Sequence, residues 1–141
     1  MKIISIDHMS FTVSDLEETN AFYAKLGFEP VKRYVSAGPE ADEGTETENA
    51  DVDISWLAHP QGGPKLELLR YQNEPTGKAP HNSQVGAAHL CLRVADVNAE
   101  WERLRDEGVT VVSAPHADEF GVVWVYIRDP DGNVVELLQE P

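Results

Sequence analysis

Along the first stretch of the chain, Met9, Phe11 and Val13 alternate with His8, Ser10 and Thr12. This period of two predicts a strand with one apolar and one polar face, expected over about Ile3 to Val13. Ser14-Asp15-Leu16-Glu17 then reads as a capping box. It opens a helix that ends near Leu26 and Gly27, with Leu16, Tyr23 and Leu26 as its apolar stripe. Three more strands are expected near Phe28 to Tyr34, Val52 to Ala58 and Leu66 to Tyr71. A connector rich in Pro, Gly and polar residues, Gln72 to Gln84, follows.

The same order then returns. A strand is predicted near Ala87 to Val94. A helix follows near Asp96 to Glu107, with Val97, Trp101 and Leu104 at i, i+4 and i+7. Further strands start at about Val109, Phe120 and Asn133, the last after a Pro- and Gly-containing turn at Arg128-Asp129-Pro130-Asp131-Gly132-Asn133. Trp124 and Tyr126 alternate with Val123, Val125 and Ile127. The aliphatic set is expected to meet the helix, leaving the aromatic pair on the polar face as a wall for a substrate, with core packing of the aromatic pair as the rival reading. Trp56 reads similarly.

The two halves also match residue by residue. Ile6-Asp7-His8-Met9-Ser10-Phe11-Thr12-Val13-Ser14-Asp15-Leu16 aligns with Ala87-Ala88-His89-Leu90-Cys91-Leu92-Arg93-Val94-Ala95-Asp96-Val97, and Gly27 falls on Gly108. Each half closes on a strand with a central glutamate, Glu67 or Glu136. Two units that each aim one imidazole and one carboxylate at the same face offer two nitrogens and two oxygens to a divalent metal. Nickel, zinc, cobalt or manganese would suit His8, Glu67, His89 and Glu136 as ligands, formed within one chain or across a homodimer. His59, His81 and His116 have no repeat partner and read as surface residues.

The histidine and glutamate stand 59 residues apart in the first half and 47 in the second. The difference of 12 falls in the Ser36 to Ala50 region. Seven acidic residues lie from Glu40 to Asp53, and no Lys or Arg occurs between Arg33 and Lys65. Like charges without periodicity predict a mobile, solvated acidic loop.

Composition narrows the partners. The net charge of −14 argues against nucleic acid and anionic membranes and leaves small molecules. No apolar run approaches a membrane span, and Met1 to Ile6 is too short for a signal peptide. With a single cysteine, Cys91, the chain reads as cytoplasmic. Cys91 is expected to be a small buried packing residue rather than a nucleophile.

From His8 to Leu16, in the repeat from His89 to Val97, and at Asp129-Pro130-Asp131-Gly132-Asn133-Val134-Val135-Glu136-Leu137, the chain resembles the vicinal oxygen chelate superfamily. This is the glyoxalase, bleomycin-resistance and extradiol dioxygenase group. The similarity spans about Ile3 to Gln139. It implies an α+β fold in a single domain, 1–141, with β-α-β-β-β modules at 3–71 and 85–139. Their mixed sheet would curve into a cup with helices outside and metal inside.

In that family, extradiol dioxygenases and fosfomycin-type thiol transferases need only the equivalents of His8, His89 and Glu136. Lactoylglutathione lyases add a carboxylate at the position of Glu67. The resemblance therefore implies a glyoxalase-like lyase or isomerase acting by α-proton abstraction, with Glu136 or Glu67 as base. The alternatives are a two-His-one-carboxylate iron dioxygenase and a metal-free binder of drugs or antibiotics. Thr12 and Tyr71 replace the Arg and Asn typical of glutathione binding. Arg93, the repeat equivalent of Thr12, is placed to meet an anionic substrate or to pair with a nearby carboxylate.

Overall fold

The computed structural model describes residues 2–73 and 77–141. The chain divides into two compact units, 1–77 and 78–141, each built on its own mixed sheet. In the first unit the strands are β1 (His8–Thr12), β2 (Glu29–Ala37), β3 (Asp51–Ala58) and β4 (Lys65–Tyr71). They are ordered β1-β4-β3-β2, with β1 and β4 parallel and the other pairs antiparallel. In the second unit β5 (His89–Arg93), β9 (Val134–Gln139), β8 (Val123–Arg128) and β6 (Thr110–Val111) follow the same logic, again with the first pair parallel. A short β7 (His116–Ala117) adds to β8, which the hydrophobic pattern did not foretell.

Matching helices cover the apolar side of each sheet. Helix α1 (Leu16–Lys25) starts at Asp15, whose carboxylate accepts the Glu18 N–H at 2.9 Å; α3 (Val97–Asp106) starts at Asp96, which accepts the Ala99 N–H at 3.0 Å. The cap is thus the aspartate rather than the expected Ser14 box, and it satisfies a donor that the helix cannot. Leu16, Thr19, Phe22 and Tyr23 are buried on α1, whereas Leu26 is only half-buried because it already forms the C-cap. A part-buried hydrogen bond from Ser55 Oγ to Asn20 Oδ1, 2.9 Å, ties α1 to β3. On the second sheet Val125, Ile127, Val135 and Leu137 are fully buried, and α3, which packs on β8 and β9, buries Val97 and Leu104. Gly27 closes α1 at φ +90°, and a Cβ there would stand 2.7 Å from His59 Nε2. His59 is accordingly half-buried against Phe28 rather than a surface residue.

Two expected boundaries move. β1 begins at His8 and not at Ile3, and Ile3, Ile4 and Ile6 are exposed, because β4 supplies pairing partners only from Lys65 onward. Likewise β8 begins at Val123, leaving Phe120 exposed in the preceding turn. Of the predicted connector, residues 74–76 lie outside the described residues.

The acidic insertion keeps Glu40, Glu43, Glu46 and Glu48 exposed, as its charge suggests, but it is not a loop throughout. It contains a helix, α2 (Pro39–Thr45), with proline in its first turn. Ala41 and Ala50 pack with Val52 and Ile54, and Trp56, Leu69 and Tyr71 lie alongside. Asp42 holds the return by accepting the N–H groups of Asn49 (3.1 Å) and Ala50 (2.7 Å). By register, Val52, Ile54, Leu69 and Tyr71 share the face of the first sheet that carries His8 and Glu67. Covering those four side chains removes apolar surface from water, which favours the insertion folding onto them.

On the helix side, Arg33 holds Asp53 through its Nη2, 2.8 Å, and its Nε, 3.2 Å, and also pairs with Glu17. The guanidinium keeps the Asp53 carboxyl below its ordinary range. A lowered carboxylate adds stability above its unfolded pKa and loses it as pH falls through the folded value. Asp53→Asn is therefore expected to lower stability at pH 7 by about 0.5 to 1 kcal/mol, the modest figure reflecting a half-exposed Arg33. Urea melts from neutral pH into acid check this, since the difference should shrink as pH falls through the folded value.

Candidate functional site

In each unit the parallel strand pair brings one histidine beside one glutamate. Ser10 lies opposite Glu67, and Cys91 lies opposite Glu136, so His8 and His89 precede the glutamates by the same two-residue step. Alternation then puts imidazole and carboxylate on one face. His8 Nε2 is 3.5 Å from Glu67 Oε2, and His89 Nε2 is 3.0 Å from Glu136 Oε2. The two carboxylate side chains are 14% and 15% exposed, so both are largely shielded.

An aromatic ring backs each pair at the same register position. Trp56, opposite Glu67, meets His8 edge-on with ring centroids 4.7 Å apart; Tyr126, opposite Glu136, meets His89 at 5.2 Å. The aromatic row continues from Tyr126 to Trp124 (5.3 Å) and on to His116 (5.3 Å). His116 is exposed, as expected, but β7 places it on this face, which its loop-like sequence context concealed. Burial, and then the Glu136 charge, push the Tyr126 phenol above its ordinary value, so it stays protonated near neutrality. His81 is exposed and bonds only locally, to Ser83 and Gln84.

Cys91 corrects an expectation. It is exposed on the His89 face instead of buried, because odd positions of β5 face away from α3. Partial desolvation, followed by the Glu136 carboxylate, pushes its thiol up to about 11, so it is not a thiolate nucleophile at neutral pH. Arg93 shares that face but its guanidinium bonds Glu140 at 2.5 Å on an exposed side.

The donor chemistry suits a divalent cation. Adjacent ligands bonded at about 2.1 Å around one octahedral ion stand about 3 Å apart. The second pair already has that separation and the first is slightly wider. Among the described residues, no group of three or more His, Cys, Asp and Glu side chains gathers to hold an ion, so each pair offers two donors. The first pair has an outer support that the second lacks by sequence: Asp7 Oδ1 lies 3.1 Å from His8 Nδ1, where the repeat has Ala88. Those hydrogen bonds, to His8 first and to Lys65 next, hold the Asp7 carboxyl below its usual range. An Nδ1–H donated to Asp7 would leave Nε2 as the nitrogen available to a metal. Asp7→Asn is expected to weaken metal binding about 10- to 100-fold without unfolding the chain, read by chelator competition.

Around residues 5–137 the chain matches the family model described as the Glyoxalase/Bleomycin resistance protein/Dioxygenase superfamily. A 2-epi-5-epi-valiolone epimerase from Actinomyces sp is 32% identical, across 98% of this chain and 80% of the relative. A probable lactoylglutathione lyase from Synechocystis is 28% identical, across 94% and 92% of the two chains. The fold agrees with a glyoxalase family protein from Bacillus cereus at a TM-score of 0.88, with 24% identity over 99% of this chain and 96% of the other. No described helix is long and apolar enough to cross a membrane. With its two units that each open on a strand and a helix and close on a parallel partner strand, its duplicated His and Glu positions and these matches, the chain belongs to the glyoxalase/bleomycin resistance/dioxygenase superfamily.

Proposed function

We propose that the protein is a metal-dependent isomerase or lyase that removes and returns a proton beside a carbonyl of a small oxygen-bearing substrate. The observation that carries the reading is the doubled pair: each unit holds one imidazole nitrogen against one carboxylate, in the same register and on the same face. His8, Glu67, His89 and Glu136 would hold the ion, within one chain or across a homodimer. A bound nickel, zinc, cobalt or manganese ion would act as a Lewis acid on the carbonyl oxygen and so acidify the neighbouring C–H. Glu136 or Glu67 then takes that proton and gives it back, a role that suits two carboxylates in similar, partly shielded surroundings. Trp56 beside the His8–Glu67 pair, and Trp124 and Tyr126 on the face of the His89–Glu136 pair, would offer apolar surface to a substrate.

The relatives support the same class of chemistry. They include the epimerase and the probable lyase already described and an ethylmalonyl-CoA/methylmalonyl-CoA epimerase from Cereibacter sphaeroides, 26% identical over 95% of this chain and 96% of the relative. An epimerase inverts a stereocentre, and beside a carbonyl the direct route is proton removal and return. The second carboxylate, Glu67, favours this reading over an iron dioxygenase, which needs two histidines and one carboxylate.

Metal content after purification without chelator, together with solvent deuterium uptake, tests it. Nickel, cobalt, zinc or manganese and exchange at the α-carbon of a cyclic hydroxyketone, an acyl-CoA thioester or a 2-oxoaldehyde–thiol adduct are the expected results. Iron with oxygen uptake on catechols would establish the dioxygenase instead. Tight ligand binding with neither metal nor exchange would establish a sequestering protein.

A further inference from the structure

We infer that a cavity on the first sheet, beside the His8–Glu67 pair, binds an anionic oxygen group of the substrate, a phosphate or a carboxylate. The inference rests on the proposed isomerase reading for its role but not for its chemistry. The cavity, about 400 Å³, is lined by Val31, Lys32, Tyr34, Trp56 and Lys65. Its volume falls in the range of small-molecule sites.

Register explains how the lining assembles. Ser10, Glu67, Trp56 and Lys32 stand opposite one another across β1, β4, β3 and β2, and Lys65 lies opposite His8. A bulge between Pro30 and Lys32 sets this alignment. Neighbouring strands are spaced about 4.8 Å apart, so the Lys32 backbone is about 10 Å from that of Glu67. A substrate of a few carbons spans that distance, with its reacting centre at the His8–Glu67 pair and its anionic end between the two ammonium groups.

Charge singles out this cavity. The chain carries 25 acidic and only 11 basic residues, so its overall field repels anions. Most arginines are spent on carboxylates: Arg33 on Asp53 and Glu17, Arg93 on Glu140, Arg103 on Glu100 and Glu107, Arg105 on Asp106. Lys32 differs. Its Nζ sits 4.7 Å from the Tyr34 ring centre, and among the described residues no carboxylate pairs with it. Lys65 Nζ lies 5.6 Å from the Trp56 ring centre and 3.2 Å from Asp7 Oδ2. Two ammonium groups held over aromatic faces keep their donors directed outward, while the rings offer a flat apolar floor to a carbon skeleton. An oxyanion entering the cavity meets both charges, and Asp7 limits the pull of Lys65 to a fraction of a free lysine's.

Titration of phenyl phosphate, phenylacetate and neutral benzyl alcohol into the ¹⁵N-labelled full chain, with and without added zinc, tests the assignment. Both anions are expected to bind, with amide shifts centred on Lys32, Tyr34, Trp56 and Lys65, and affinity falling as salt rises. The stronger of the two identifies phosphate or carboxylate as the preferred group. Lys32→Gln should weaken anion binding about tenfold, and Lys32→Arg should restore it, with zinc content unchanged in both; Lys32 is exposed, so the fold should hold. Equal binding of benzyl alcohol, unchanged affinity in Lys32→Gln, or shifts confined to other surfaces would overturn the proposal. Because anion binding is read without turnover, a failed isomerase assay would leave this result standing, and a failed titration would leave the metal and exchange results standing.

Discussion

Glu136→Gln is expected to lower α-proton exchange about 10²- to 10⁴-fold, the range lost when a positioned proton-transfer group is removed. The change keeps the size and shape of the side chain, so the packing of β9, whose Val135 and Leu137 are fully buried on the opposite face, stays intact. Two losses combine in the variant: the base itself, and one negative donor 3.0 Å from His89 Nε2. Metal analysis separates them. Retained metal with lost exchange makes Glu136 the base; retained metal with unchanged exchange moves that role to Glu67, and the reciprocal Glu67→Gln should then carry the loss. Cys91 and Tyr126, both protonated near neutrality beside Glu136, are not expected to substitute as bases.

Loss of bound metal is the expected result of His8→Ala, with affinity falling by at least about 100-fold. This exceeds the range for disturbing an outer partner, because the coordinating nitrogen itself is gone. Activity should fall with it. Stability should change little, since His8 is exposed at the start of β1 and the buried side of that strand is Phe11. Equilibrium dialysis against zinc, with urea melts on the same samples, decides the outcome. Unchanged metal affinity in His8→Ala would remove the first pair from the ligand set and leave His89 and Glu136 as the donors to explain. The weaker loss expected for Asp7→Asn then serves as an internal scale: orientation of a ligand against the ligand itself.

Both results bear on a repeat that is legible in the amino-acid sequence. Met9, Phe11 and Val13 alternate with His8, Ser10 and Thr12, and the later copy does the same, so strand, face and the equivalence of His8 with His89 follow from periodicity. The approximate limits of α1 and α3 follow too, because aspartate caps and a glycine stop are local chemistry, although Asp15 rather than Ser14 proved to be the cap. Trp124 and Tyr126 were placed opposite Val125 and Ile127 for the same reason, and the burial of that aliphatic pair agrees.

The acidic insertion shows where local reading stops. Its charges describe the outer surface of α2, while its position depends on Ala41 and Ala50, two small residues with no periodic signature, meeting Val52 and Ile54. The exposure of Cys91 and the half-burial of His59 are of the same kind, since each depends on what the neighbouring elements cover. So does the cavity of Lys32, Tyr34, Trp56 and Lys65, whose members come from three strands and become neighbours only through antiparallel register and one bulge.

By itself, the amino-acid sequence determined the duplicated strand and helix order, the polar face of each sheet and the identity of its paired histidine and glutamate. These depend on alternation and capping, which act over a few residues. Tertiary structure alone decided that the acidic segment packs as a helix on the His8 face and that two lysines flank Trp56. Each of those depends on contacts between residues distant in sequence, made when burial of apolar surface outweighs the entropy of ordering the chain.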